Sequence, residues 1–245
     1  MEKYKPMQRV INFSGGKTSA YMTIHEYREG DLVIFCDTGR EHPKTYKFIN
    51  DFEAHEGIPV IRLKYEGGFR ALLNKKKQIP NNFKRFCTVE LKVKTARRYL
   101  RSLKIIKYEN IIGFRADEPL RVKRRKAMWK TVVDRFPLYE NGVDKKMINE
   151  YWENKPYNLE IPSILGNCTL CFMKGKNAII NILTTYPELA DEWIEDEKIN
   201  KEIGKGYKYF PDISMEQLRD LAQNNLFKDT DLSLISPAFD CACTS

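Results

Sequence analysis

Val10-Ile11-Asn12-Phe13-Ser14-Gly15-Gly16-Lys17-Thr18-Ser19 is an apolar run that breaks into paired glycines and a hydroxyl-rich segment just before a helix-forming stretch. The reading is strand, turn, helix, with Val10 to Phe13 as the strand and Ala20 to Arg28 as the helix body. Adjacent glycines let the main chain turn tightly and approach an oxyanion, while the amides opening the helix, at the positive end of its dipole, face that anion. Ser14, Thr18 and Ser19 add hydroxyl donors, and Lys17 adds a point charge. Gly16-Lys17-Thr18 looks like the end of a Walker A loop, but that motif needs a glycine where this chain has Ile11, inside the strand. Walker A is therefore excluded. Taken alone, the segment also reads as a glycine turn with a Ser/Thr helix cap.

Working outward, Asp31-Leu32-Val33-Ile34-Phe35-Cys36 is a second buried strand ending in Asp37-Thr38-Gly39. Pro43 opens a helix to about Glu56, and Val60 to Leu63 is a third strand after the break at Gly57-Ile58-Pro59. Strand, helix, strand, helix, strand predicts a parallel sheet with right-handed crossovers, whose ligands sit beyond the carboxyl ends of the strands. Residues 65–86 read as a polar, lysine-rich connection suited to a mobile flap. Thr88 to Ser102 is a basic helix, Ile111 to Phe114 a further strand delivering Arg115 to the same sheet edge, and Val132 to Leu138 a last strand with Pro137 ending it. Asp144 to Glu153 is a short helix whose Tyr151 and Trp152 are packing residues. Beyond Gly166 the pattern turns helical: Lys176 to about Ile203 with an interruption near Pro187, then a helix capped by Ser214-Met215-Glu216-Gln217. The expected division is a nucleotide-binding domain over residues 1–165 and a helical, cysteine-carrying extension over residues 166–245.

With 245 residues and 42% hydrophobic content the chain can bury a full core. Its N-terminus, Met1-Glu2-Lys3-Tyr4-Lys5-Pro6, lacks the apolar stretch of a signal peptide, and no apolar run reaches membrane-spanning length, so a cytoplasmic location without a membrane partner is expected. Lysine and arginine total 42 against 33 acidic residues, a net charge of +9, clustered at Lys75–Lys77, Lys84-Arg85, Lys92 to Arg101 and Arg121 to Lys126. Such patches attract polyphosphates or a tRNA or DNA backbone, although solvated helix faces also carry them. The 6 cysteines of a cytoplasmic chain call for a metal or redox explanation rather than disulfides.

Several separated motifs then agree in order. Ser14-Gly15-Gly16-Lys17-Thr18-Ser19, Cys36-Asp37-Thr38-Gly39 followed by Pro43 and Thr45-Tyr46, Gly113-Phe114-Arg115-Ala116-Asp117-Glu118 with Arg121, and Pro137-Leu138 together resemble the phosphoadenosine-phosphosulfate (PAPS) reductase family of the adenine-nucleotide alpha-hydrolase, or PP-loop, superfamily. The resemblance covers about residues 8–172. It implies a Rossmann-like α/β sheet with helices on both faces, holding ATP or the sulfonucleotides APS or PAPS, with Mg²⁺ sharing the phosphate charge. The phosphates would lie on Ser14, Gly15, Gly16, Lys17, Thr18 and Ser19, with Asp37, Thr38, Gly39 and Gly113 beside the nucleotide and Arg115 gripping its distal oxyanion. Lys17, Asp37 and Arg115 would carry the catalysis. Sulfonucleotide reductases of this family are expected to end in a Glu-Cys-Gly-x-His segment, and here the tail reads Asp240-Cys241-Ala242-Cys243-Thr244-Ser245.

Cys168-Thr169-Leu170-Cys171 has the spacing that lets both sulfurs reach one ion, and Cys87 opens the basic helix. The arrangement is similar to family members whose cysteines hold a [4Fe-4S] cluster, with Cys241 or Cys243 supplying the ligand that Phe86 does not. Zinc competes for the same thiolates, and a redox or sulfur-carrying tail cysteine is a third reading. Cys36, in a strand, reads as an unligated thiol. The leading function is an ATP pyrophosphatase that adenylates an acceptor, coupled to sulfur transfer or redox chemistry. A thiol-dependent APS/PAPS reductase with a thioredoxin-like reductant and a non-catalytic nucleotide- or nucleic-acid-binding protein are the alternatives.

Overall fold

The computed structural model describes residues 7–125, 129–204 and 208–224. Five strands, β1 (Gln8–Asn12), β2 (Leu32–Asp37), β3 (Ile61–Lys64), β4 (Tyr108–Ile111) and β5 (Val132–Arg135), form one parallel sheet in the order β3-β2-β1-β4-β5. The order reverses between β1 and β4. Their crossovers therefore leave in opposite directions and open a crevice at the carboxyl ends. The β1–β4 register, from Gln8 opposite Tyr108 to Ile11 opposite Ile111, ends β4 earlier than the apolar run suggests. Gly113 to Arg115 are thereby released into the loop above the crevice.

Side chains of each strand alternate between two cores, as a period of two demands. Ile11, Val33 and Phe35 pack with Phe48, Ile49, Phe52 and Trp152 under α1 (Lys17–Glu26), α2 (Pro43–Glu56) and α7 (Lys145–Glu153). Val10 and Ile34 face the other way, against Leu100, Ala96 and Tyr99 of α4 (Lys94–Ser102). Helix α1 begins a turn earlier than its apolar content indicates, so Lys17, Thr18 and Ser19 form its first turn. The basic helix opens with a π-helical turn, Thr88–Val93, and continues as α4.

Two expectations are corrected. The 65–86 connection is not an unstructured flap: α3 (Gly68–Lys76) occupies its middle because Phe69, Leu72 and Leu73, at helical spacing, are buried. The last strand stops at Arg135, since Pro137 is the first residue of α6 (Pro137–Glu140), where a missing amide costs nothing. Short helix α5 (Pro119–Arg124) lies between β4 and β5.

The C-terminal helices α8 (Lys176–Thr185), α9 (Asp191–Ile203) and α10 (Met215–Asn224) share a core with α3, in which Leu72, Leu91, Ile179, Ile182, Trp193, Tyr209 and Leu218 are buried. Ser214 and Gln217 cap α10 reciprocally: the Gln217 amide donates to the Ser214 hydroxyl at 3.1 Å, and the Ser214 amide to the Gln217 side chain at 2.9 Å. A short antiparallel bridge between Glu41 and Cys168 stitches this region to the loop after β2. No helix among the described residues is long and apolar enough to cross a membrane.

Candidate functional site

Gly15 sits at φ +77°, and a Cβ there would meet Thr45 Cγ2 at 2.7 Å. Only glycine lets the loop lie this close to α2. Ser19, almost fully buried, ties the turn shut: its hydroxyl accepts from the Ser14 amide and hydroxyl, both at 3.0 Å, and donates to the Gly16 carbonyl at 2.9 Å. The loop is thus shaped before any anion arrives, and Ser19 is spent on that shape. Gly16, which caps α1, has no side chain to offer the first-turn amides. Trp152, fully buried on α7, donates its indole N–H to the Lys17 carbonyl at 3.0 Å and fixes the helix start.

The crevice above this loop is a cavity of about 180 Å³. Lys17, Arg115, Arg121 and Lys145 reach it from separate elements, and among the described residues its lining contains no carboxylate. Burial lowers the Lys17 ammonium below its ordinary value, against the opposing pull of Glu153. Arg115, 7% exposed, is held flat by Asp117 through hydrogen bonds of 2.9 and 3.1 Å, with Glu118 3.7 Å away. Arg121 stacks on Phe114 at 4.3 Å and pairs with Glu118. Burial works to raise the Asp117 carboxyl, but its bonds and charge pairing with Arg115 hold it below the usual range. The result is an electropositive cradle at a helix N-terminus, an arrangement whose chemistry favours an anion. Hydroxyl and amide oxygens are the oxygen donors at hand, so the lining does not fit a carboxylate-held Mg²⁺.

Asp37, Thr38 and Gly39 lie at the tip of β2, outside the lining of that crevice. Asp37 accepts from Tyr46 at 2.8 Å and from the Gly39 amide at 2.7 Å, while Lys64 stands 4.0 Å away. Thr38 donates to Glu41 at 2.8 Å and contacts the Cys168 sulfur at 3.4 Å. Burial pushes the Glu41 carboxyl up. The loop from Asp37 to Glu41 therefore touches the cysteine side, through Thr38 and the Glu41–Cys168 bridge.

Cys87, Cys168 and Cys171 line one small apolar cavity with Thr38, Phe69, Lys92 and Trp193. The cysteines separated in sequence are brought together; Cys241 and Cys243 lie outside the described residues. Among the described residues no group of 3 or more His, Cys, Asp or Glu side chains is arranged to hold a metal ion. The donor chemistry, soft thiols in an apolar pocket, does suit a thiophilic metal or iron–sulfur cluster. Cys36 stands apart: its thiol, pushed up to about 11 by burial, donates to the Lys92 carbonyl at 3.5 Å.

Lys145 of the crevice was not foreseen, because it follows the Asp144 cap far from any motif. Nor was the buried cluster beside the cysteine cavity. There Arg40 pairs with Asp196 and Glu192, Arg70 reaches Asp196 at 3.1 Å, Tyr209 donates to Asp196 at 3.0 Å, and Arg40 lies over Phe69 at 4.9 Å.

A five-stranded parallel sheet with a switch point and a glycine turn at its crevice defines a Rossmann-like α/β domain. The model of the phosphoadenosine phosphosulfate reductase domain matches residues 8–158, and the chain belongs to the PAPS reductase family of the PP-loop superfamily. It is 30% identical over 204 residues to the uncharacterized nin region protein ORF290 of Escherichia phage lambda, covering 71% of this chain and 68% of that protein. An uncharacterized protein of Methanocaldococcus jannaschii is 25% identical over 232 residues, 87% of this chain, of which the chain spans 54%. A second protein of that organism is 24% identical over 194 residues, and the chain spans 40% of it. Among solved structures, the phosphate complex of PAPS reductase from Candida auris superposes with a TM-score of 0.44 and 16% identity, over 64% of this chain and 76% of that one.

Proposed function

We propose that the chain binds ATP or a closely related adenine nucleotide and adenylates an acceptor, coupled to sulfur transfer or redox chemistry at a thiolate-bound centre. The observation that carries the reading is the closed Ser14–Ser19 turn facing a crevice walled by Lys17, Arg115, Arg121 and Lys145, with no carboxylate in its lining among the described residues. An acceptor oxygen or nitrogen attacks the α-phosphorus, the bond from that phosphorus to the bridging oxygen breaks, and pyrophosphate leaves with the electron pair. The acceptor's proton passes to solvent. Loop amides and Lys17 hold the departing phosphates, and Arg115 and Arg121 neutralise the charge that builds as the bond breaks. Asp37 and its neighbours would face the nucleoside from the tip of β2. Mg²⁺, where present, would ride on the phosphates.

Residues 166–245 form the extension in this reading. Cys87, Cys168 and Cys171, with Cys241 or Cys243, would hold a [4Fe-4S] cluster or zinc. Such a centre supplies an electron or a sulfur-binding position when loaded. The test is release of pyrophosphate from ATP by anaerobically purified protein, with and without candidate acceptors, alongside iron and zinc analysis of wild type and Cys168→Ser/Cys171→Ser. Release that Lys17→Met abolishes, with metal lost in the cysteine variant, is expected. Absence of ATP binding would overturn the nucleotide reading, and absence of both metals from fresh protein would overturn the centre.

The family model's own reaction supports a second reading, thiol-dependent release of sulfite from APS or PAPS, for which a thioredoxin-like protein would be the reductant. Sulfite formation without pyrophosphate release would favour it.

A further inference from the structure

Helix α4 buries Ala96, Tyr99 and Leu100 against the sheet and turns its other side outward. On that side stand Lys94, Arg97, Arg98 and Arg101, spaced three, four and seven residues from the first, so all lie on a single face. With Glu90 and Trp129 they line a groove of about 290 Å³. The Arg97 guanidinium lies 3.6 Å from the centre of the Trp129 ring, and its Nη1 is buried without a hydrogen-bond partner among the described residues. Arg98 lies over Tyr65 at 5.4 Å. Glu90 is the groove's carboxylate, and Lys94 at 3.0 Å and Lys76 at 2.9 Å both claim it.

A face like this works against its own helix. Like charges three and four residues apart repel, and ordinary solvated helices relieve the repulsion by interleaving acids. Here the arginines past Lys94 have none on the helix. Proximity of Arg101 even adds to burial in lowering the Arg97 guanidinium below its ordinary range. Flat cations prearranged on aromatic rings suit one kind of partner, a chain of regularly spaced phosphates. The helix also points somewhere. Its π-helical opening begins directly after Cys87, which lines the cysteine cavity, and Lys94 follows about 10 Å along the axis.

We propose that the α4 face binds the phosphate backbone of a nucleic acid and leads the strand to the cysteine cavity. The assignment names the acceptor class of the proposed adenylation and rests on that reading only for what the strand is used for. Binding itself is read without ATP, so the two fail separately.

The test is fluorescence anisotropy of the full chain with a short labelled RNA strand, and with the matching duplex and DNA strand, over a salt series from about 50 to 200 mM. Wild type should bind with a log–log salt slope near −3, as about four neutralised phosphates require. Arg98→Gln/Arg101→Gln, both at exposed positions, should weaken binding about tenfold and flatten the slope by more than about one. Arg98→Lys/Arg101→Lys should keep the slope. Lys47→Gln/Lys146→Gln removes equal charge from helices on the opposite sheet face and should change little. Absence of salt-sensitive binding, equal losses in the two Gln pairs at matched melting temperatures, or displacement of the strand by tripolyphosphate at equal phosphate concentration would each overturn the proposal. Strand binding by a chain that releases no pyrophosphate would remove the adenylation and leave this face standing.

Discussion

The crevice over the glycine turn and the cysteine cavity are built from opposite materials. The crevice is walled by cations and amides brought to the sheet's switch point, with its loop closed by hydrogen bonds a few residues long. The cysteine cavity is apolar, and its walls come from the loop after β2, α3, the π-helical turn and the C-terminal region. Local bonds shape the first, and tertiary packing shapes the second. Damage to long-range bracing should therefore harm the cysteine side alone, and damage to the glycine turn the crevice alone.

The largest effect is expected at Asp196, 1% exposed, whose carboxylate takes Arg40, Arg70 and the Tyr209 hydroxyl. Burial pushes this carboxyl up, against the pull of Arg40. Asp196→Ala removes the buried counter-charge of Arg40 and leaves it the solvent-exposed Glu192, a loss of about 3–5 kcal/mol, or on the order of 10 °C in Tm for a chain of this size. Thermal unfolding measures it. Nucleotide affinity of the folded fraction should hold; if it falls in proportion, the two regions are one cooperative unit.

Next comes Gly15→Ala. Its Cβ would stand 2.7 Å from Thr45 Cγ2 at φ +77°, so both sterics and backbone oppose it, at a cost of roughly 2–3 kcal/mol. Titration with ATP should show no binding while the metal content of the cysteine side is unchanged. Binding within threefold of wild type would mean that the turn relaxes and the cradle is not preformed.

These two substitutions also mark what the sequence could and could not reveal. Gly15 was readable because its reason is local: a contiguous turn between a strand and a helix leaves a motif. Asp196 was not, because its partners Arg40 and Arg70 lie far away in the chain and nothing near it signals burial. Phe69, Leu72 and Leu73 were hidden in the same way, their helical spacing masked by surrounding lysines and glycines in what read as a flap. The cysteines fall between, since Cys168-Thr169-Leu170-Cys171 shows its spacing but only the fold brings Cys87 alongside. Lys145 shows the limit of motif reading even at the legible site: a lysine after a helix cap carries no mark of the crevice it faces.

Lys17→Met separates binding from stability. Burial lowers the Lys17 ammonium, so its charge is unfavourable to the folded chain, and that cost is present at neutral pH. Nucleotide affinity should fall by at least about tenfold, the loss of one charge-assisted contact, while Tm stays level or rises. Isothermal titration and thermal unfolding of the same samples decide. A fall in Tm would make Lys17 a structural residue and weaken its assignment to the phosphates.

The smallest effect lies inside the crevice wall. Asp117 holds the Arg115 fork in place but is itself 41% exposed, so solvent screens the pair and its worth is below about 1 kcal/mol. Its carboxyl is lowered in the folded chain, so the contribution is fully present above the unfolded value near 3.8 and is lost as pH falls through the lower folded value. The stability difference between wild type and Asp117→Asn should therefore be small and constant from neutral pH down to about 5, and should vanish in stronger acid. Affinity for ATP at neutral pH should drop two- to fivefold, because the guanidinium loses its alignment but keeps its charge. A rise in affinity instead would show that Asp117 competes with the phosphates for Arg115. The wall of the crevice would then be a latch that the nucleotide opens, and the contrast with the tightly braced cysteine side would sharpen into one between a yielding site and a fixed one.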